Sequence, residues 1–280
     1  YQELECLGAS PARYRLLEIS ADLRQRQQST IADRHADQYD RFEWLDDFPQ
    51  QQIHGVILAN EVLDALPTER FRITRDGPRY LGVGQAEDRL VAIEIAADDA
   101  LLAAIELIES DLGTPLRAGY ESEFCPGLPS WIARVAGCLA GGVVLFADYG
   151  LPRRHYYHPQ RSTGTLMCHY RHRAHTDPFM WPGLQDITAW VDFTAVAEAG
   201  CAAGLSVEGF TSQASFLIGS GIAELVEHDA DTRRQVETAA QIRRLTLPGE
   251  MGESFKLMGL SREWHGDLPA LSLHDQSGAL

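Results

Sequence analysis

The strongest constraint on this chain's fold is a set of short apolar runs that each end in acids. Gly55-Val56-Ile57-Leu58-Ala59 is followed at once by Asn60, Glu61 and Asp64, and Val143-Val144-Leu145-Phe146-Ala147 by Asp148-Tyr149-Gly150. Unbroken β-branched and apolar runs of this length read as strands buried on both faces, the pattern of a parallel sheet. A third segment, Tyr14-Arg15-Leu16-Leu17, ends in Glu18 and leads to Ser20, an N-cap residue type, and then to a Gln- and Arg-rich stretch of helical composition. Strand followed by helix is the repeating unit of a parallel sheet, whose ligands sit beyond the carboxyl ends of the strands. The acids leaving those ends are therefore expected to converge on one cleft.

The remaining pattern fits a large α/β fold with an insertion. Arg41 to Leu45 reads as a second short strand. From Arg70 to Ile95 the pattern changes to Phe71-Arg72-Ile73-Thr74, a turn at Asp76-Gly77-Pro78, then Tyr80-Leu81-Gly82-Val83 and Leu90-Val91-Ala92-Ile93, an antiparallel meander that could serve as a lid or partner surface. Helices are expected near 98–112, 128–139, 192–203, 215–227 and 232–245, and strands at 205–210 and 255–260. The expected class is thus a doubly wound sheet, mostly parallel with an antiparallel last strand. Its parts are a first core segment (1–69), an inserted meander and helix (70–127), the rest of the core (128–261) and a loosely held polar tail (262–280). Within the third part, 151–191 is a long His- and Arg-rich connection, and connections of that length are usually functional.

Forty acidic against 24 basic residues give a formal charge of −16. Such a field repels phosphate backbones and anionic lipid surfaces and attracts a basic protein partner, so nucleic acid is a poor substrate and membrane insertion is not expected. Five scattered cysteines without a C-x-x-C pair exclude a disulfide framework and favour a reducing compartment. No apolar run reaches membrane-spanning length and no charged-then-apolar leader opens these residues. Bacterial cytoplasm is the expected location, or the mitochondrial matrix for a eukaryotic chain. A homodimer is compatible with the sequence, which does not set the oligomeric state.

Several residues could carry chemistry. Glu18, ending its strand, could accept hydrogen bonds from both ribose hydroxyls of a nucleoside cofactor, with Ser20 and Asn60 nearby; its blander role is to cap the next helix. Asp46 and Asp47 could read an adenine amino group or form a solvated turn. Glu61 and Asp64, three apart on an expected helical turn, could present two carboxylates on one face, matching the planar fork of a guanidinium, or could stabilise a helix N-terminus. Asp148, Tyr149, His172, His175 and Asp186 are candidates for a substrate-pocket wall. The histidines 155, 158, 169, 172 and 175 suggest metal, but the interleaved arginines would repel a cation and no zinc pattern is completed, so no metal is assigned. No G-x-S-x-G string or Cys-His pairing points to a nucleophile.

The strings Leu17-Glu18-Ile19-Ser20, Asn60-Glu61-Val62-Leu63-Asp64-Ala65-Leu66-Pro67, Asp148-Tyr149-Gly150, Gly164-Thr165-Leu166, Pro182-Gly183 and Asp186-Ile187-Thr188-Ala189-Trp190-Val191-Asp192-Phe193 resemble the MidA family of S-adenosylmethionine-dependent methyltransferases. That family includes a mitochondrial assembly factor for respiratory complex I that methylates arginine. The resemblance, from about Tyr14 to Leu260, implies a class I methyltransferase sheet, S-adenosylmethionine as cofactor with Glu18 on its ribose, and a protein partner as methyl acceptor. By positional analogy with protein arginine methyltransferases, Glu61 would be the first carboxylate of an arginine-holding loop, with Asp64 and Asn60 beside it. Asp148, Asp186 and Asp192 rank second, and Asp192 could simply cap its helix. The family's first strand and glycine-rich turn are not found. The chain opens on what reads as the tail of the next helix, Tyr1 to Leu7, and Gly82-Val83-Gly84 and Gly219-Ser220-Gly221 lie in the wrong context. Weak or absent cofactor binding is the corresponding expectation, and a non-catalytic assembly factor the alternative.

Overall fold

The structure, a computed structural model, describes residues 2–171, 173–224 and 232–280. It separates into two compact units, 1–53 and 54–280.

In the first unit, α1 (Gln2–Cys6) precedes β1 (Tyr14–Leu17), α2 (Ala21–Arg34) and β2 (Phe42–Leu45). The two strands pair in parallel, from Tyr14 opposite Phe42 to Leu17 opposite Leu45. This is the strand–helix–strand unit expected from the sequence. Ser20 caps α2, its hydroxyl accepting the Leu23 N–H at 3.3 Å, while Asp22 in the first turn and Arg34 in the last suit the helix dipole.

The second unit takes in β3 (Ile53–Asn60) from His54 onward and an antiparallel sheet of β4 (Glu69–Thr74), β5 (Gly77–Ala86), β6 (Arg89–Ala96) and β7 (Glu121–Phe124), in the order β6-β5-β4-β7. Between β6 and β7 lies α3 (Asp99–Leu112), capped by the Asp98 carboxylate and ended by left-handed Gly113. Phe71, Ile73, Leu101, Ile105 and Ile108 form a core between this sheet and α3. The meander is therefore as expected, with β7 added. The glycines of Gly82-Val83-Gly84 have a packing reason: Ile95 and Ile93 lie across their backbones, and a Cβ on Gly82 would stand 2.3 Å from the Ile95 Cδ1.

After α4 (Leu128–Gly137) comes the long strand β8 (Leu139–Leu151). Gly142 lies against Gly55 at one end, and the Glu61 N–H donates to the Ala147 carbonyl at 2.9 Å at the other, so β3 and β8 run in the same direction. A Cβ on Gly142 would fall 1.9 Å from the Gly55 oxygen, which accounts for glycine there. β3 is less buried than its apolar run implied: Val56 and Leu58 are 58% and 66% exposed, because the strand has β8 on one edge and only alternate residues turn inward.

The 151–191 segment is ordered where described. It holds α5 (Arg153–Tyr156) and a small sheet of β9 (Met167–Tyr170), β10 (Arg173–His175) and β11 (Asp186–Thr188), in the order β10-β9-β11. Then β12 (Val191–Asp192) pairs in parallel with the end of β8 and leads into α6 (Phe193–Ala202), β13 (Ser206–Ser212), α7 (Gln213–Gly219), α8 (Thr232–Thr246), α9 (Met251–Ser254), β14 (Phe255–Arg262) and α10 (Pro269–Ser272). β14 runs antiparallel between β8 and β13, the expected reversed last strand. Part of the helix expected at 215–227 falls outside the described residues. The tail is not loose. Leu271 is buried, the Asp275 carboxylate accepts the Phe210 N–H, and the Thr211 hydroxyl donates to the His274 carbonyl, so the chain end clasps β13.

Candidate functional site

In the first unit, Glu18 follows β1 directly. Its Oε1 accepts the Ser20 N–H at 2.8 Å and its Oε2 accepts from the Gln27 amide at 3.2 Å, and Gln27 is itself held by the Trp44 indole N–H at 3.1 Å. The carboxylate is thus oriented by α2 and β2 while keeping lone pairs free for two further donors. Beside it, Ile19 is 95% exposed, an apolar surface suited to the flat face of a base. These residues fit the ribose and base of a nucleoside cofactor. Gln27 and Trp44 escaped the sequence reading, although Gln27 lies seven residues after Ser20, on the same face of α2. Asp46 instead pairs with Arg24, which also donates to the Trp44 carbonyl, and the Asp47 Oδ1 accepts the Phe48 N–H. Both belong to the turn after β2.

In the second unit the chain turns sharply as it leaves β3. Glu61 has φ +49°, a left-handed conformation that a non-glycine residue adopts only at a cost. Residues 61–66 are not helical, contrary to the expected spacing on a helical turn. The physical reason is a distant acid. The Asp148 Oδ2 accepts the N–H groups of Val62, Leu63 and Asp64 at 3.2, 2.9 and 3.2 Å, and its Oδ1 accepts the Tyr149 N–H at 2.9 Å. Backbone donors that would have opened a helix are turned onto one carboxylate instead. Asp148 is 1% exposed, so its place is beneath the loop and not on the exposed surface of a pocket wall.

Asp64 and Glu61 remain close, the charge of Glu61 acting on Asp64. Burial first, then Glu61 and Asp186, push Asp64 up to about 6, and its Oδ1 is buried without a partner. Burial first, then Asp64, push Asp148 up to about 7 against its backbone donors. Tyr149, ring-packed on Phe255 with centroids 3.9 Å apart, has its hydroxyl pKa raised by burial and by Glu61, Asp64 and Asp148, with Arg244 of α8 opposing. Asn60 donates to the Glu61 Oε1 at 3.2 Å. The structure thus brings together Asn60, Glu61, Asp64, Asp148, Tyr149 and Asp186. Leu63, between the two loop acids, is buried and forms part of the wall of a cavity of about 390 Å³ that also touches Ile108, Phe124 and Trp190.

His175 lies on β10 with its ring edge-on to Trp181 at 5.6 Å and neither nitrogen partnered, on the same small sheet as Asp186 but two strands away. His172 lies outside the described residues. Among the described residues no group of three His, Cys, Asp or Glu could hold a metal ion, and no helix is long and apolar enough to cross a membrane. Two buried clusters went unread in the sequence. Glu123, fully buried, accepts from the Thr165 N–H and hydroxyl and from the Tyr156 hydroxyl, which gives the Gly164-Thr165 string a structural purpose. Arg153, 2% exposed, donates to Asp111, Asp192 and Glu198, while the other Asp192 oxygen caps α6. Neither cluster has a periodic signal, because each is assembled from segments far apart in sequence.

A protein-family model described as "Putative S-adenosyl-L-methionine-dependent methyltransferase" matches residues 3–211. The chain belongs to that family. It is 37% identical to a COG1565 superfamily member from Burkholderia thailandensis whose crystal structure was solved bound to S-adenosyl-homocysteine, covering 100% of this chain and 71% of that one with a TM-score of 0.92. The methyltransferase-like α/β fold expected from the sequence is therefore the fold found. Among curated proteins, the chain is 28% identical over 233 residues to "Protein arginine methyltransferase NDUFAF7 homolog, mitochondrial" of Drosophila melanogaster. It is 25% identical over 280 residues to "Protein arginine methyltransferase NDUFAF7, mitochondrial" of Danio rerio. These matches cover 77% and 91% of this chain but only 48% and 62% of the relatives.

Proposed function

We propose that this methyltransferase-family chain takes a methyl group from S-adenosylmethionine to an arginine guanidinium of a protein partner, a subunit of respiratory complex I type. The cofactor would supply an electrophilic methyl on a sulfonium. Glu18, set by Ser20 and Gln27, would hold its ribose, and Ile19 would face the base. Glu61 and Asp64 would bind the acceptor cation. One observation carries this reading: Asp64 is 7% exposed, its Oδ1 lacks a partner, and the like charge of Glu61, which has a left-handed backbone, acts on it. An unpaired buried carboxylate is costly, and a planar cation with several N–H donors supplies what it lacks. Catalysis would then be mainly positioning and electrostatic, with the acids orienting the acceptor guanidinium.

The arginine methyltransferase names of the relatives support this choice of acceptor. The test is incubation of the protein with labelled S-adenosylmethionine and purified complex I subunits, followed by amino-acid analysis. Label in methylarginine, abolished by Glu61→Gln, is the expected outcome. Label on another residue would replace the proposed acceptor.

A second reading, a binding module for such a partner, is favoured by the β5–β6 hairpin. Val83, Ile93 and Ile95 are 63%, 41% and 46% exposed there. Ile93 and Ile95 share one face of the hairpin, over Gly84 and Gly82, while Val83 lies on the other; exposed apolar side chains of this kind suit a contact surface, which serves an enzyme acting on a protein as well as an assembly factor.

A further inference from the structure

Asp148 stands out among the buried acids because nearly all of its bonding capacity is spent on one loop. Three consecutive N–H groups, those of Val62, Leu63 and Asp64, converge on its Oδ2, and the N–H before them, that of Glu61, goes to the neighbouring Ala147 carbonyl. Residues 61–64 therefore satisfy their backbone donors on the end of β8, more than 80 positions away, and not on each other. Resting on the reading of Glu61 and Asp64 as the acceptor site, we propose that Asp148 is a positioning residue that touches neither cofactor nor acceptor and fixes both acids by gathering the loop's backbone donors.

The surroundings fit that role. Glu61 needs an external restraint to stay left-handed, and bonds on both sides of its Cα provide one. The charged and titratable groups near Asp148 are Asp64 and Glu61 from the loop, Asp186 beyond Asp64, Tyr149 on its own strand, and Lys256, its register partner on β14. The cations are Lys256 and, acting on Tyr149, Arg244 of α8; the others are acidic or phenolic. A cation arriving between Glu61 and Asp64 relieves the like charge on Asp148, so acceptor binding and loop order reinforce each other. An uncharged amide at 148 offers its carbonyl oxygen to the three loop donors without the full charge, and turns its NH2 towards the Tyr149 N–H, a donor against a donor.

Amide hydrogen exchange on the whole protein tests this directly, compared between wild type and Asp148→Asn. Peptides spanning 61–66 are expected to exchange about tenfold faster or more in the variant, while β14 and α6 keep their protection. With a methylatable partner, the acceptor KM should rise and kcat fall at an unchanged dissociation constant for S-adenosyl-homocysteine. If the variant does not fold, wild-type exchange is followed from pH 8 to pH 5, and the 62–64 amides should lose protection ahead of the rest of the sheet as Asp148 takes up its proton. Unchanged exchange at 62–64, or loss spread over the whole sheet, overturns the proposal. Selective loosening with unaltered acceptor kinetics also overturns it, reducing Asp148 to a fold element. A wild type that methylates no partner defeats the reading of Glu61 and Asp64 instead, and the exchange data still decide whether the clamp exists.

Discussion

Asp64 carries opposite consequences for stability and activity. Its folded pKa of about 6 lies above the ordinary 3.8, so between those values the folded chain binds a proton that the unfolded chain does not. Stability contributed at this site is therefore greatest near pH 4, falls as pH rises towards 6, and stays reduced above. Asp64→Asn removes that penalty, and denaturant unfolding should show the variant about 1–3 kcal/mol more stable at pH 8 with little difference near pH 4. On the proposed reading of the acceptor site, methyl transfer should fall about a hundredfold or more, because a carboxylate that would hold the acceptor cation is gone. In the wild type, kcat/KM should rise with pH through about 6 to 7, where Asp64 and Asp148 ionise as a coupled pair. On the cofactor side, Glu18→Ala should weaken S-adenosyl-homocysteine binding about tenfold to a hundredfold by calorimetry, the value of charged hydrogen bonds to two hydroxyls.

At the scale of elements, Asp192 joins β12 to α6. It caps the helix with one oxygen and holds buried Arg153 with the other. Burial alone would lower the Arg153 pKa, but Glu198, Asp192 and Asp111 raise it, so the guanidinium stays charged. Asp192→Ala removes the cap and leaves that charge short of a partner, and should cost about 3 kcal/mol in urea unfolding without altering cofactor affinity. How much of this level was visible beforehand depended on the range of the contacts involved. The strands β1, β3, β8 and β14 announce themselves as apolar runs, and α2, α3 and α6 through Ser20, Asp98 and Asp192 at their starts, because these signals are local. The sequence Glu121-Ser122-Glu123-Phe124 has no strand-like alternation, and β7 forms because β4 offers an edge and Glu123 finds Thr165 and Tyr156. The helical turn expected at 61–64 fails for the same reason, since the Asp148 carboxylate lies 84 to 86 positions away. Polar strands and a chain end pinned by Asp275 are likewise products of tertiary contact.

At the scale of the whole molecule, the charge of −16 and the apolar hairpin point to the same kind of partner. On the proposed reading, a basic protein surface would be drawn in by the field and then held by an apolar contact. Association of such a partner should weaken as ionic strength rises, while binding of S-adenosyl-homocysteine changes little. Ile93→Lys together with Ile95→Lys, on one face of the hairpin, should reduce partner affinity about tenfold or more by surface binding, leaving the cofactor dissociation constant as in wild type.

The most direct measurement is amino-acid analysis of proteins labelled by the methyl donor, run in parallel with wild type, Glu61→Gln and Asp64→Asn, with S-adenosyl-homocysteine affinity measured for each. Methylarginine made by the wild type, lost in both variants at unchanged affinity, is the predicted result. Methylarginine made equally well by all three proteins would contradict the assignment of the acceptor to the loop after β3.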